Sequence, residues 1–195
     1  GLEVALPPRL STSTLVALHK DPTELALNIR RPMPRPQDEY SRRGTAFHLW
    51  IENHFRAATL FDDNDLDFLD PLEPDQTLEQ LKNAWLASDW APRIPVAVEV
   101  PFEAVIGGVL VRGRIDAVYE INGRYEVIDW KTGSTKLGQS SAVQLAVYRL
   151  AWANLKGIDP TQVSAAFHYV PSGETDRPAD LLSHAQLVEL LMGSD

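Results

Sequence analysis

Three acidic residues fall into one row across adjacent predicted strands. Asn122–Gly123 lies between two apolar-patterned runs and predicts a hairpin, because a two-residue type I′ turn needs positive φ at both central positions. Counting outward from this turn places Asp116 opposite Asp129, with Cα atoms roughly 4.5 Å apart. A second two-residue turn at Gly107–Gly108 places Glu99 opposite Asp116 in the same way. The sequence therefore predicts three carboxylates side by side on one face of a sheet.

A row of carboxylates calls for a charge-balancing partner. Like charges directly opposite one another are destabilising, so the row is retained if a carboxyl group is protonated or a cation binds there. Oxygen ligands favour hard divalent cations such as Mg²⁺ or Mn²⁺. Lys131 lies two residues beyond Asp129 and is predicted on the same face. Two alternatives remain open: an ordinary solvated face, and a register shifted by a bulge at Gly113 or by a longer loop at the glycine pair.

The strands that carry these residues are predicted at 95–106, 109–121 and 124–131. One face of the central hairpin is charged. The other face carries side chains suited to a core beneath helices, namely Ile115, Ala117, Tyr119, Ile128 and Trp130. A sheet with two such faces predicts an α/β domain. A further strand at 162–170 follows a helix, so we expect it to run parallel to an earlier strand.

Two predicted helices bring further polar residues towards the row. A helix at about 38–57 has His48 beside its apolar stripe, and a helix at about 141–155 carries Gln144. Each residue also has a purely structural interpretation. His48 is then a packed core histidine, and Gln144 is the partner of Ser141 in a capping box.

The rest of the chain is predicted from local signals. Ser11 or Ser13 caps a first short helix, and Asp21 caps a second. The other local predictions are a non-helical connector at 30–36, a helix at 77–89 capped by Thr77, a loop at 174–180 and a closing helix at 183–192.

Four motifs in this order resemble a known nuclease family. They are Arg43–His48, Gly113–Asp116, Val127–Gly133 and Gln144–Tyr148. Together they resemble the RecB-like branch of the PD-(D/E)xK nuclease superfamily, which carries an upstream histidine, an acid, Asp/Glu-x-Lys and Gln-x-x-x-Tyr. The whole chain is similar to the C-terminal nuclease domain of actinobacterial UvrD/Rep-type helicase–nucleases of the AdnAB type, with AdnB the closer match.

The resemblance implies a fold and a function. The fold would be α/β, a restriction-endonuclease-like mixed sheet flanked by helices. Residues 1–195 would form one nuclease domain, with an N-terminal helical segment at 1–43 and a nuclease core at 44–195. The activity would be metal-dependent hydrolysis of DNA phosphodiesters, exonuclease-type on single strands. It would serve an attached helicase motor, and a second helicase–nuclease subunit, in cytoplasmic double-strand-break end resection and recombination repair.

The resemblance also implies three groups of site residues. The ligands of one or two Mg²⁺ or Mn²⁺ ions would be His48, Asp116, Asp129 and the Trp130 backbone carbonyl, with Glu99 as an outer or second-metal ligand. The catalytic group would be Asp116, Asp129, Lys131, Gln144 and Tyr148. The residues contacting DNA phosphates would be Arg42, Arg43, Arg114 and Arg149.

Composition limits these hypotheses. The absence of cysteine excludes disulfides, thiolate metal sites and the iron–sulfur cluster that some RecB-like nucleases carry. No apolar run is long enough to span a membrane, and no signal peptide or phosphate-binding loop is present, so ATP hydrolysis is expected elsewhere. The chain begins with Gly1, which suggests a fragment of a longer protein.

The net charge of −9 argues against a free-standing DNA-binding protein. Residues 61–80 hold eight of the 27 acidic residues and no lysine or arginine, so the remainder has 19 acids against 18 bases. We therefore expect DNA affinity to come mostly from an attached motor. Two alternatives are a catalytically silent nuclease-like domain that guides DNA or scaffolds a helicase complex, and a stand-alone phage-type exonuclease.

Overall fold

The computed structural model describes residues 5–32, 38–59 and 76–193. The centre of the predicted connector at 30–36 and most of the acidic stretch at 61–80 lie outside these residues. No helix in the described part of the chain is long and apolar enough to cross a membrane.

A six-stranded mixed sheet forms the centre of the described structure. Its strands are β1 (Arg9–Ser11), β2 (Ala97–Ile106), β3 (Val109–Ile121), β4 (Arg124–Lys131), β5 (Val163–Tyr169) and β6 (Glu174–Asp176). The path through the sheet is β1-β3-β4-β5-β6, and β2 also pairs with β3. The predicted α/β architecture, a mixed sheet flanked by helices, is confirmed.

β3 pairs with three other strands. β2 runs antiparallel along one of its edges, from the Ile106–Val109 pair to the Ala97–Val118 pair. On the other edge β1 pairs in parallel with the start of β3, and β4 pairs antiparallel with its end. The short β1 was not predicted from the sequence, because three residues are too few to show an alternating pattern.

The end of the sheet combines a confirmed prediction with a correction. β5 is parallel to β4, as the intervening helix predicts. The loop predicted at 174–180 is wrong in its first part, since β6 occupies Glu174–Asp176 and pairs antiparallel with β5. Gly173, at φ 72°, makes the tight return between the two strands.

Six α-helices surround the sheet in the described residues. They are α1 (Thr12–Lys20), α2 (Pro22–Arg30), α3 (Glu39–Thr59), α4 (Gln76–Leu86), α5 (Gln139–Lys156) and α6 (His184–Met192). The predicted caps at Ser11 and Asp21 are confirmed, because each side chain accepts a hydrogen bond from a backbone N–H in the first turn. Ser183 caps α6 in the same way, although the sequence had predicted only the helix there. The proposed subdivision at residues 43 and 44 falls inside α3 and stays a prediction.

Two helix starts differ from the predictions. α4 begins before Thr77, so Thr77 does not cap it, and the helix ends at Leu86 rather than Asp89. Ser88 stops it, since its hydroxyl donates to the Trp85 carbonyl. α5 begins at Gln139 after Gly138, with no side-chain cap, so the capping box between Ser141 and Gln144 is wrong.

Each face of the sheet packs against its own helices. The α5 core contains buried residues of α1, α5 and α6, including Leu15, Val147, Trp152 and Leu187. The α3 core contains Phe47 and Trp85 from the helices, with Trp90, Tyr119 and Trp130. Trp90 and Trp130 stack edge-on, 6.2 Å between ring centroids. The second core is thus dominated by aromatic rings.

The two strands β2 and β3 change face at one point. Val98 and its partner Ala117 pack in the α3 core, whereas Val100 and its partner Ile115 pack in the α5 core. The prediction that Ile115 shares a face with Ala117 is therefore wrong. Regular alternation fails here because Glu99, between the two pairs, has φ 47°.

Candidate metal centre

The counted register of the central hairpin is confirmed. Asn122 and Gly123 have φ 54° and 76°, and the ladder runs from Ile121–Arg124 to Ala117–Ile128. The ladder ends one residue before Asp116 and Asp129, so the predicted pairing of these two acids lies just beyond its last pair.

The predicted turn at Gly107–Gly108 also stands, and Gly113 forms no bulge, because it pairs directly with Phe102. A Cβ at Gly113 would lie 2.5 Å from Thr12 Oγ1 and 2.8 Å from Phe102 Cζ. Close packing against α1 and β2 therefore explains this glycine, and the register continues unshifted to Asp116.

Glu99 lies closer to the centre than its predicted outer position. One oxygen each of Glu99 and Asp116 and one ring nitrogen of His48 lie within 4.8 Å of one another. Positive φ is rare for a glutamate and stores backbone strain, and such strain is concentrated at functional sites. The kink in β2 accompanies a carboxylate placed beside Asp116.

α3 holds His48 over this end of the hairpin. Its neighbour Phe47 is fully buried in the α3 core and fixes the helix against the sheet. His48 Nδ1 lies 3.5 Å from Asp116 Oδ1. Burial alone would lower the pKa of His48, but the charges of Asp116, Asp129 and Glu99 overcome it and raise that pKa to about 9.

Asp116 is fixed by the neighbouring strand. Its Oδ2 accepts a hydrogen bond of 2.8 Å from the Trp130 backbone N–H, which leaves Oδ1 turned towards His48. The Trp130 ring is buried in the α3 core. Trp130 thus anchors the acid through its amide, while the metal contact of its carbonyl stays a prediction.

Gln144 connects Asp129, Lys131 and Tyr148 through hydrogen bonds. Its amide nitrogen donates to Asp129 Oδ1 at 3.0 Å and to Tyr148 Oη at 2.9 Å, and its oxygen accepts from Lys131 Nζ at 3.0 Å. Lys131 Nζ also lies 2.8 Å from Asp129 Oδ2. Both amide hydrogens and the amide oxygen are used within the site, so Gln144 orients three other side chains.

The electrostatics of the cluster favour a bound cation. Asp129 is 3% exposed, and burial together with the Asp116 charge raises its pKa, although Lys131 opposes the shift. Burial and Asp116 also raise the pKa of Glu99. The donors are one imidazole and several carboxylates, a set that suits Mg²⁺ or Mn²⁺. The residues present therefore fit a divalent metal ion.

The four predicted DNA-binding arginines lie in different surroundings. Arg114 is exposed, with Nη1 3.6 Å from Glu99 Oε2, and Arg42 and Arg43 lie on α3 before His48. Arg149 instead points to the Leu182 carbonyl at 3.4 Å, in the loop before α6. DNA contact by any of the four stays a prediction.

One carboxylate at the site received no role from the sequence. Glu52 follows His48 by one turn of α3, its side chain is 15% exposed, and its charge contributes to the raised pKa of Glu99. The signal that would have found it is the i, i+4 spacing from His48, which puts both residues on one helix face.

Comparison with known proteins agrees with this geometry. The sequence profile of the PD-(D/E)XK nuclease superfamily matches residues 9–189. The chain is 35% identical over 94 residues to the Gene 69 protein of Mycobacterium phage D29, covering 48% of this chain and 32% of that protein. It is 35% identical over 82 residues to the Gene 69 protein of Mycobacterium phage L5, covering 42% and 27%. The alignments thus span about a third of these relatives.

A solved structure shares the fold. The chain resembles the "Putative exonuclease" of Eubacterium rectale with a TM-score of 0.62 and 12% identity, over 95% of this chain and 78% of the other. At this identity the likeness concerns the fold alone, and it agrees with the superfamily match over residues 9–189.

Proposed function

Because the chain belongs to the PD-(D/E)XK nuclease superfamily, we propose that it hydrolyses DNA phosphodiester bonds with the help of Mg²⁺ or Mn²⁺. The observation that carries the proposal is the convergence of His48, Glu99 and Asp116 within 4.8 Å. Asp129 and Lys131 adjoin this group across the hairpin.

The metal ligands in this proposal come from four elements. His48 from α3, Glu99 from β2 and Asp116 from β3 would hold the ion, with Asp129 from β4 as a further ligand. A bound divalent ion would lower the pKa of a water molecule and offset negative charge on the phosphoryl group. The strained Glu99 and the fixed Asp116 give the site its preorganisation.

Lys131 and its partners are proposed to act on the reacting atoms. The Lys131 ammonium is held by Asp129 and Gln144, and it lies 5.2 Å from the centre of the Phe167 ring. In that position it would orient the attacking water or stabilise the charge that develops on phosphate. Tyr148, whose pKa burial raises, would stay protonated and hold Gln144.

We further propose that the substrate is a single strand delivered by an attached helicase motor, as in end resection by helicase–nucleases. The resemblance to AdnAB-type nuclease domains supports this role. The net charge of −9 supports it too, since a chain this acidic needs another source of DNA affinity. Exonuclease-type action and a second helicase–nuclease subunit belong to the same proposal.

The test compares two carboxylates of β3. Labelled single-stranded DNA is incubated with Mn²⁺ and wild-type protein, Asp116→Asn or Glu120→Gln. Glu120 is exposed near the turn, so its variant controls for the loss of one charge from the same strand. We expect cleavage by wild type and Glu120→Gln, and none by Asp116→Asn or in EDTA. Cleavage that survives Asp116→Asn would refute the proposed centre, and absence of wild-type cleavage by the helicase-linked protein would favour a silent domain.

A further inference from the structure

A cleft lies between α3, α4 and the turn that follows β4. Its volume is about 290 Å³. Tyr40 and Arg43 line it from α3, Gln80 from α4, and Thr132 and Ser134 from the turn. None of the proposed metal ligands lines this cleft, and neither does Lys131.

Two elements that line the cleft also carry residues of the candidate centre or lead directly out of it. Thr132 follows Lys131 directly, and Arg43 and Tyr40 precede His48 on α3 by five and eight residues. At the rise of an α-helix these residues lie roughly 7.5 and 12 Å from His48 along the axis. Successive phosphates of a strand in B-form DNA rise by about 3.4 Å, so this span corresponds to a few nucleotides.

The lining of the cleft suits a nucleotide. Among the described residues that line the cleft, none is acidic, and one, Arg43, is basic. This lining contrasts with the chain as a whole, whose net charge is −9. The remaining polar groups are the hydroxyls of Thr77, Thr132 and Ser134 and the amide of Gln80, which are hydrogen-bond donors to phosphate and sugar.

Tyr40 gives the cleft an exposed aromatic wall. The residue is 56% exposed, so its ring is accessible from solvent. Its hydroxyl lies against Gly133, where a Cβ would overlap it. The absence of a side chain at Gly133 therefore lets the Tyr40 ring rest beside the turn. Single-stranded nucleic acids bind mainly through basic grooves and through bases stacked on such rings.

We propose that this α3–α4 cleft binds a nucleotide of the substrate strand close to the scissile phosphate, with its base stacked on Tyr40 and its phosphate near Arg43. The inference rests on the proposed nuclease function and names the group that positions its substrate. Tyr40 is then a substrate-contacting residue outside the metal cluster.

The test measures DNA binding without metal, so it does not depend on cleavage. Fluorescence anisotropy in EDTA follows the binding of a labelled oligodeoxythymidine to wild type, Tyr40→Ala and Tyr40→Phe. We expect about tenfold or more weaker binding for Tyr40→Ala, because one stacked base is lost, and near-wild-type binding for Tyr40→Phe, which keeps the ring. Ile94→Ala, which shortens a side chain 84% exposed outside the cleft lining, serves as the control.

A second arm identifies the partner of the ring. One abasic nucleotide is moved stepwise along the oligonucleotide, and each substrate is tested with wild type and Tyr40→Ala. At one position the abasic nucleotide should weaken wild-type binding as much as Tyr40→Ala does, and it should cost the variant nothing further.

Three outcomes would overturn the inference: unchanged binding by Tyr40→Ala, additive losses at every position, or no saturable binding by the wild type. A failure of the nuclease proposal would appear separately, as absence of metal-dependent cleavage by the wild type with the binding pattern intact. In cleavage assays Tyr40→Ala should raise KM more than it lowers kcat, since stacking holds the strand before and during the reaction.

Discussion

The two ends of the β3–β4 hairpin are built from the same strands and serve different purposes. At the turn, the backbone pairs regularly and the Asn122–Gly123 dihedral angles match a preferred turn. At the other end, pairing stops after Ala117–Ile128, the charge of Asp116 helps to raise the pKa of Asp129, and His48 lies 3.5 Å from Asp116. The turn end stabilises the fold. At the open end, where pairing stops, repulsion between carboxylates destabilises the fold but brings together the residues of the candidate site.

Supports outside the hairpin make the open end possible. Asp116 is held by the Trp130 amide, and Asp129 is held by Gln144 from α5. The two cores then bury the hydrophobic side chains on either side of the site. Stability at this site therefore comes from the core, the hydrogen bonds and the pairing of His48 and Lys131 with carboxylates, whereas repulsion among the carboxylates opposes folding.

The largest expected effect separates function from stability at the open end. Asp129→Asn should lower cleavage about a thousandfold or more, because several kcal/mol of transition-state stabilisation depend on the metal site. The same change should leave the melting temperature of the metal-free protein within a few degrees or raise it, since it relieves repulsion from Asp116. Thermal unfolding and cleavage assays on one preparation measure both. A strongly destabilised variant would show that Asp129 is structural.

A smaller loss of activity is expected from replacing Gln144, which hydrogen-bonds to the charged residues of the site. Gln144→Leu removes the amide groups that hold Asp129, Lys131 and Tyr148. Loss of an orienting residue at a metal site typically lowers metal affinity or activity 10- to 100-fold. We therefore expect kcat to fall by about this factor. The amide does not cap α5, so the helix should keep its stability. Steady-state kinetics and circular dichroism test the two statements, and a loss of helix stability with kcat unchanged would reverse the assignment.

The turn end should respond in the opposite way. Gly123 has φ 76° and open space around the position of a Cβ, so Gly123→Ala changes backbone strain alone. We expect the free energy of unfolding to fall by about 1 kcal/mol, with cleavage per folded molecule unchanged. Urea unfolding measures the loss, and Asn122→Gly, which relieves positive φ, is the matched control. Equal stability of Gly123→Ala and wild type would argue against the type I′ turn.

The smallest effect concerns a second buried histidine beside the open end. His168 pairs with Trp130 in the β4–β5 ladder, and burial lowers its pKa to about 4, opposite to the shift of His48. Since the unfolded state then binds more protons, this group makes stability fall as pH falls from about 6.5 towards 4.

Between pH 7 and 6 the contribution of His168 is below about 1 kcal/mol. Because the raised pKa of His48 acts in the opposite direction, the test is the difference between two proteins: on going from pH 7 to pH 6, urea unfolding should show that His168→Phe changes more favourably in stability than wild type. An identical pH dependence in both proteins would contradict the buried neutral imidazole.

The sequence predicted most of the sheet, and which strands carry Asp116 and Asp129, for one physical reason. Two-residue turns fix register, so positions such as Asp116 and Asp129 could be counted from Asn122–Gly123. The helix cap at Asp21 was an equally local signal, and α2 begins where predicted. Long periodic segments with defined turns therefore needed no tertiary information.

The sequence-based predictions failed where tertiary contacts determine the local structure. The kink at Glu99 and the change of face at Ile115 depend on two cores meeting at the site, which strand alternation cannot show. The three-residue strands β1 and β6 exist only because neighbours pair with them. Gln144 matched a capping box locally, yet its amide bonds residues of β4 instead.

The position of the metal ion is the most direct test of the central claim. A crystal soaked in Mn²⁺ and measured near the manganese absorption edge would show the ion by its anomalous signal. We predict a peak among His48, Glu99, Asp116 and Asp129, and none in a crystal of Asp129→Asn treated in the same way. A strong peak elsewhere, or no peak at millimolar Mn²⁺ with the carboxylates ordered, would contradict the account.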